Sequence, residues 1–200
     1  MYQNGKIDFK CEPLSSDASL PQLPPPTRPC CDAHRLLRPL PTQTLLLRRL
    51  LSPVKEISFR KATRDGFHRL FQYIEGANLN NSRVPMTVPV VTSIVPGAGP
   101  LDSSAYVVYF YVPDKFQASP PLPLPELNLT PDSWTSSCKA VRQFSGFARD
   151  NNVVEEAEKL AISLSKSPYF TSSSSNFAYS IAQYNSPLKF IGRLNEVWVC

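Results

Sequence analysis

The chain has 200 residues, of which 42% are hydrophobic and 10% aromatic, which is enough to build one domain with a real core. The formal net charge of +5 is modest, and much of the excess lies in one arm, "RLLRPLPTQTLLLRRLL", so the charge argues against a nucleic-acid partner. No stretch approaches the ~20 apolar residues of a membrane span, and "MYQNGKIDFKCEP" lacks the apolar core of a secretory signal. We therefore expect a soluble cytoplasmic protein with no transmembrane segment, while secretion, a vacuole or a plastid stays open as an alternative.

The first 53 residues form an atypical arm rich in proline, leucine and arginine. Its stretch "PPPTRPCCDAHRLLRPLPTQTLLLRRLLSP" has no aromatic residue and shows no alternation of apolar and polar residues. We expect residues 1–53 to be disordered, or to come from a mis-spliced or frame-shifted first segment.

A first helix is predicted from Phe59 onward, with Ser58 as its N-cap and Gly76 as its stop. One face carries residues spaced three and four apart over more than four turns: Phe59, Ala62, Thr63, Gly66, Phe67, Leu70, Phe71 and Ile74. A helix with one such face lies against another element.

Five segments predict strands, because β-branched and aromatic residues alternate in them. They are "VPMTVPVVTSI" (84–94), "AYVVYFYV" (105–112), "CKAVRQFS" (138–145), "FAYSIAQYN" (177–185) and "LNEVWVC" (194–200). Pro85 and Pro89 remove ladder donors within the first segment, so we expect it to bend at a barrel corner.

The loop "VPDKFQASPPLPLPELNL" in the proline-rich stretch 113–131 has two interpretations. Its Pro-x-Pro spacing is typical of a polyproline helix that docks on a protein partner. Alternatively it is a structural cover that packs Phe116, Leu122 and Leu124 over one end of the barrel.

A second helix is predicted around Val153, Ala157, Leu160 and Leu164, with Glu155 and Glu156 in its first turn, Lys166 in its last and Pro168 just beyond. The segment "VKEISF" predicts a further strand before the first helix, so the order strand, helix, strand, strand occurs twice along the chain. We therefore predict an α+β fold: a twisted antiparallel β-barrel flanked by two α-helices and built from a duplicated half.

Several of these segments together resemble the SOUL haem-binding protein family over residues 54–200. The segments are "VPMTVPVVTSI", "FYVPDKFQASPPLPLPELNL", "AVRQFSGFARDNNV" and "YSIAQYNSPLKFIGRLNEVWV", and "FHRLFQYIEGANLNNSR" is closest to the plant members. The resemblance implies a twisted barrel with two helices. It also implies reversible binding of haem or another tetrapyrrole on an apolar patch, as a carrier or buffer and without enzymatic turnover. The arm departs from the family, whose domain opens with two strands at these positions.

A porphyrin requires an apolar wall, one or two cations at its rim and, optionally, an axial ligand. Arg64 and His68 lie one turn apart beside the apolar face of the first helix. By resemblance, Arg64 and Lys189 match basic residues implicated in haem contact, whereas Gln72 replaces a third basic residue found in animal members.

Each of these residues also has a structural interpretation. His68 is either an axial ligand or a surface histidine, and Arg64 is either a haem contact or a solvated charge. Phe67 and Met86 either line the pocket or belong to the core.

The sequence also contains residues that could serve metal binding or hydrolysis. The vicinal pair Cys30–Cys31 could bind a soft metal or haem iron, but the five cysteines include no C-x-x-C pair, and no zinc site is expected. The chain has no G-x-S-x-G and no H-E-x-x-H motif, although a hydrolase that uses Glu75 and Glu196 stays an alternative. We expect Arg193, Asn195 and Glu196 instead to form a structural network around the last strand.

Overall fold

One antiparallel sheet of eight strands, with helices packed on it, makes up the fold in the computed structural model, which describes residues 8–11, 47–94, 104–134, 138–166 and 178–199. The strands are β1 (Asp8–Cys11), β2 (Leu47–Glu56), β3 (Val90–Ile94), β4 (Ser104–Tyr111), β5 (Thr130–Trp134), β6 (Cys138–Phe144), β7 (Tyr179–Gln183) and β8 (Asn195–Val199). The helices are α1 (Phe59–Ile74), the short α2 (Asp114–Gln117) and α3 (Asp150–Ser165). The fold is α+β, as predicted.

The order of the strands shows the duplication that the sequence predicts. The sheet runs β1-β6-β8-β7-β3-β4-β2-β5, so the triplet β6-β8-β7 mirrors the triplet β2-β4-β3. The two triplets meet where β3 pairs with β7, with Thr92 opposite Ile181. Each helix packs on its own half, α1 on β2 and β4 and α3 on β6 and β8.

A closed barrel is not confirmed. β1 and β5 stand at the two ends of the sheet, and within the described residues no pairing joins them. The face of the sheet away from the helices is nevertheless buried, since Val91, Tyr109 and Trp198 form one cluster there. No helix among the described residues covers that face.

The first helix begins and ends where the sequence predicts. The Ser58 hydroxyl accepts a hydrogen bond from the Lys61 N–H (3.2 Å), and Gly76 follows the helix with φ +118°. Gly66 allows α1 to approach the sheet closely, because a Cβ there would lie 2.4 Å from Cγ2 of Val108. Replacing this glycine would therefore push α1 outward.

The second predicted helix begins earlier than expected. α3 starts at Asp150, where the Asn152 side chain accepts the Arg149 N–H at 2.7 Å. Glu155 and Glu156 consequently lie in the second turn, where both pair with Lys159. Pro168 lies outside the described residues.

One strand is shorter than predicted, and one strand was not predicted. The segment 84–94 is a strand only over Val90–Ile94, because Pro85 and Pro89, which cannot donate to a ladder, precede the paired residues. The predicted strand is therefore confirmed for Val90–Ile94, whereas its extension through Pro85 and Pro89 is wrong. β5 lies in a segment that carried no strand prediction.

Parts of the predicted arm belong to the sheet. β2 begins at Leu47 and pairs with both β4 and β5, so two neighbours supply its ladder hydrogen bonds. Leu50, Ser52 and Val54 are buried on alternate positions of this strand, a pattern that its leucines and arginines obscured. β1 pairs with β6 as well. The other residues of the arm, including Cys30, Cys31 and His34, lie outside the described residues.

The proline-rich loop covers the C-terminal half of α1. Phe116 and Leu124 pack on the cluster that includes Leu70 and Tyr73, whereas Leu122 is exposed. The Tyr73 hydroxyl donates to the Pro121 carbonyl at 2.8 Å, and burial raises the pKa of Tyr73 to about 12. The prediction of a structural cover is confirmed for Phe116 and Leu124.

Candidate functional site

A cleft of about 840 Å³ opens between the first half of α1, the segment 146–149 before α3, and the loop 184–194 that joins β7 to β8. Its size is within the range of ordinary small-molecule sites. The residues that line it come from both halves of the fold, so the cleft lies where the two halves meet.

Hydrogen bonds beside the cleft join the two long helices. The Asp150 carboxylate, at the start of α3, accepts hydrogen bonds from the Ser58 hydroxyl (3.0 Å) and from the Phe59 N–H. One carboxylate therefore caps the start of α1 and fixes it beside α3. Ser58 and Phe59 are themselves cleft-lining residues.

One wall of the cleft is aromatic. The rings of Phe147 and Phe190 meet edge to face with centroids 6.0 Å apart. Across the cleft, Phe67 projects from α1, and its ring lies 5.9 Å from that of Phe71. Aromatic faces on both sides suit a flat apolar ligand.

The loop 184–194 is held in shape by Arg193. Its guanidinium is buried, with 5% exposure, and donates to the carbonyls of Ser186 and Lys189 at 2.7 Å and of Asn185 at 3.3 Å. The same group lies 4.3 Å from the ring centre of Phe147. Arg193 thus links the loop to the aromatic wall and gives that wall a fixed form.

The rim of the cleft is positively charged. Arg60, Lys61, Arg64 and Arg149 line it, and among the described residues that line it there is no Asp or Glu. Lys61 pairs with Glu56 (2.7 Å) and Arg64 with Asp65 (2.9 Å), both outside the lining. Because Arg64 is highly exposed, its pairing leaves the guanidinium accessible to an anion.

The residues predicted from sequence divide into two groups. Arg64 and Phe67 line the cleft. His68 is exposed on α1, Met86 is 43% exposed, and neither is a lining residue. Lys189 is exposed beside Phe190 in the loop, and its described contacts are made by its backbone: the carbonyl accepts a hydrogen bond from Arg193, and the N–H donates to the Ser186 carbonyl.

Five residues of the aromatic wall and the cationic rim were not predicted from the sequence: Arg60, Lys61, Phe147, Arg149 and Phe190. Phe147 and Arg149 lie in "SGFARD" and Phe190 in "LKFIGR", both beside glycines. Aromatic and basic residues next to a loop glycine are the signal that could have identified them.

The predicted network around the last strand is present. Asn195 donates to the Gly146 carbonyl at 2.8 Å, and the Glu196 carboxylate accepts hydrogen bonds from Tyr184, Trp198 and Gln143. Glu196 is fully buried. These contacts give Glu196 a structural role.

The carboxylates of the hydrolase alternative do not meet in the cleft. Glu75 follows the end of α1, is exposed and pairs with Arg83 at 3.4 Å, and neither Glu75 nor Glu196 lines the cleft. Across the described ranges, no group of three or more His, Cys, Asp or Glu side chains could hold a metal ion.

The protein thus combines an antiparallel sheet, a helix on each half, and a cleft with an aromatic wall and a cationic rim. The chain belongs to the SOUL family: the family model described as "SOUL heme-binding protein" matches residues 50–200. It is similar to "Heme-binding protein 2" of Homo sapiens, with 32% identity over 146 residues, 73% of this chain and 69% of that protein. It is also similar to "Heme-binding protein 1" of Mus musculus, with 30% identity over 139 residues, 70% of this chain and 71% of that protein. None of the described helices is both long and apolar enough to cross a membrane.

Proposed function

We propose that this protein binds haem or a related tetrapyrrole reversibly in the cleft, as a carrier or buffer. The observation that carries the proposal is the combination of an aromatic wall and an acid-free cationic rim in one cleft. A porphyrin has an apolar disc and two propionates, and each part has a counterpart among these residues. Membership of the family supports the same ligand.

The residues that would hold the disc are aromatic. Phe67 stands on one side of the cleft, and the edge-to-face pair of Phe147 and Phe190 stands on the other. Each phenyl ring can contact the macrocycle through its face or its edge. Truncating Phe190, which is 72% exposed, removes contact area without opening the core.

The propionates would be held at the rim. Arg64 and Arg149 line the cleft, one on each wall, and a guanidinium can bind a carboxylate through two parallel hydrogen bonds. Lys189 lies beside Phe190 on the exposed loop and supplies a further cation at the mouth. Because these contacts are exposed to water, each contributes modestly, which suits reversible binding.

We infer that binding in the cleft does not depend on the iron. Among the described residues, none that lines the cleft is His, Cys, Met or Tyr, and His68 is exposed outside the lining. The disc and the propionates, rather than an axial bond, would then supply the affinity. We expect haemin and metal-free protoporphyrin to bind with similar affinity.

The test is an absorbance titration of the full chain with haemin, followed by the same titration with metal-free protoporphyrin. We expect a saturable Soret shift, a dissociation constant about two- to fivefold higher in Arg64→Ala, and one about tenfold higher in Phe190→Ala. Arg83→Ala is the matched control, because Arg83 is an exposed cation outside the cleft.

Three outcomes would contradict the proposal or part of it. No saturable shift in a folded sample would overturn haem binding. Equal weakening in Arg83→Ala and Arg64→Ala would place the ligand outside the cleft. A Soret shift lost only in His68→Ala would overturn the iron-independent mode and assign axial ligation to His68.

A further inference from the structure

The loop 184–194 presents three large apolar side chains to solvent at its tip. Leu188 is 81% exposed, Phe190 72% and Ile191 88%. They follow one another in "LKFI" (188–191), which we call the loop tip. Single exposed apolar residues are normal on protein surfaces, whereas such a run indicates a surface that binds something apolar.

This exposure belongs to an ordered loop. The Arg193 guanidinium holds three carbonyls at the base of the tip. The Leu194 N–H donates to Oδ1 of Asn185 at 2.6 Å, and the Lys189 N–H donates to the Ser186 carbonyl at 3.0 Å. The base is thus fixed by hydrogen bonds, while the apolar side chains at the tip point outward. Only contact with another molecule or surface would bury these side chains.

The three side chains do not share one role. Phe190 lines the cleft and contacts Phe147, which accounts for its position. Leu188 and Ile191 line no part of the cleft. Their apolar surface therefore has no use in the ligand site proposed above.

The loop tip carries one cation and adjoins the cationic cleft. Lys189 lies within the tip, and the described lining of the cleft, to which Phe190 belongs, includes Arg60, Arg64 and Arg149 but no Asp or Glu. Exposed apolar side chains surrounded by Lys and Arg are the pattern with which proteins bind the interface of an anionic bilayer. Leu188 and Ile191 would enter the boundary between headgroups and acyl chains, and the cations would face the lipid phosphates.

We propose that the loop tip docks the protein reversibly on an anionic lipid bilayer, with the mouth of the cleft facing the headgroups. A stable protein–protein interface needs about 800 Å² on each partner, which two exposed side chains do not supply. Shallow lipid insertion requires much less area, because the charges supply part of the binding free energy. An apolar ligand could then pass between the cleft and the bilayer without crossing water.

The test is flotation of the full chain with vesicles of phosphatidylcholine alone or mixed with phosphatidylserine. We expect saturable binding only to the mixed vesicles, reduced by high salt because screening weakens the attraction of the cations. The double variant Leu188→Ser/Ile191→Ser should bind at least about tenfold more weakly. Leu79→Ser/Leu122→Ser is the matched control and should bind as the wild type, since those leucines are 58% and 57% exposed elsewhere on the surface.

Either of two results would overturn the proposal: equal binding to neutral vesicles, or unchanged binding of the Leu188→Ser/Ile191→Ser variant. A third contradicting result could come from sedimentation velocity without vesicles. If the wild type self-associates and the Leu188→Ser/Ile191→Ser variant does not, the loop tip forms a contact between copies of the chain. Haemin titration of this variant separates the two proposals. We expect haemin affinity to stay at the wild-type value when vesicle binding is lost, since neither residue lines the cleft.

Discussion

Ser58 and Asp150, which precede α1 and begin α3 in different halves of the fold, share a hydrogen bond of 3.0 Å beside the cleft. The same carboxylate accepts the Phe59 N–H, so it satisfies a donor at the start of α1 that has no partner within the helix. The position of α1, and with it that of Arg64 and Phe67, therefore depends on a residue of the other half.

We expect Asp150→Ala to lower the free energy of unfolding by about 1–2 kcal/mol, because it removes both acceptors of this joint. Urea denaturation measures the loss. In a double-mutant cycle with Ser58→Ala, the two losses should be non-additive by about 0.5–1 kcal/mol. Strict additivity would mean that the hydrogen bond between them contributes nothing.

Arg193 should determine the order of the loop 184–194. We expect Arg193→Lys to raise amide hydrogen exchange in residues 185–194, because an ammonium group cannot reproduce the planar fork that binds three carbonyls and stacks on Phe147. Haemin affinity should fall with it, since Phe190 loses its support.

Exchange within α3 is the internal reference for that experiment. It should be unchanged in Arg193→Lys, because Arg193 has no described hydrogen bond to that helix. Unchanged exchange in the loop would show that its other hydrogen bonds suffice.

Glu156 ties α3 to β6. Its carboxylate pairs with Arg142 at 2.7 Å and with Lys159 at 2.8 Å. Burial alone would raise the pKa of Glu156, but the hydrogen bonds from Lys159 and Arg142 outweigh it, and the pKa is lowered. The stabilisation is therefore fully present above the ordinary carboxyl pKa of about 4.3 and is lost as the pH falls through the lowered pKa.

Glu156→Gln should accordingly reduce the free energy of unfolding by about 1–2 kcal/mol at neutral pH, with the difference from wild type shrinking below about pH 4. Denaturation across a pH series measures this. Glu155→Gln is the control, because Glu155 is 62% exposed and its pair with Lys159 should contribute only about 0.3–0.5 kcal/mol. A pH-independent difference would show that the ion pairs are not its cause.

Gly66 should tolerate no side chain. Gly66→Ala gains about 1 kcal/mol of helix propensity, but the new Cβ would lie 2.4 Å from Cγ2 and 2.7 Å from Cβ of Val108. We expect a net loss of about 1–2 kcal/mol on thermal or urea denaturation, together with weaker haemin binding, because α1 carries part of the cleft.

Adding Val108→Ala to Gly66→Ala should restore only part of that loss, because the contact with the Cβ of residue 108 remains. A Gly66→Ala variant as stable as the wild type would mean that α1 can shift at no cost.

The elements that the sequence predicted well are those with long periodic patterns. α1 is 16 residues long, carries its own cap and breaks at Gly76, so local rules determine both its ends. β3 was predicted too long, because alternation continues through Pro85 and Pro89, whereas pairing does not. β2 was cut short, because the composition of the arm hid an alternation that is evident only once its two neighbouring strands are known.

The cleft shows the same division. Arg64 was predicted by resemblance and from its place beside the apolar face of α1, and Phe67 lies on that face. Phe147, Arg149 and Phe190 lie far along the chain from α1, and the pairing of β3 with β7 brings their half beside it. The loop glycines near these three residues could mark them as candidates, but no local pattern shows that they meet α1.

The duplication gives the molecule two similar frameworks whose corresponding connections differ in composition. In the second half, the connection between the last two strands carries Phe190 and Arg193. The corresponding connection of the first half, residues 95–103, reads "VPGAGPLDS" and contains neither an aromatic residue nor a cation. That segment therefore has no residue for a second aromatic wall or cationic rim. We expect one tetrapyrrole for each chain, bound between the two similar halves.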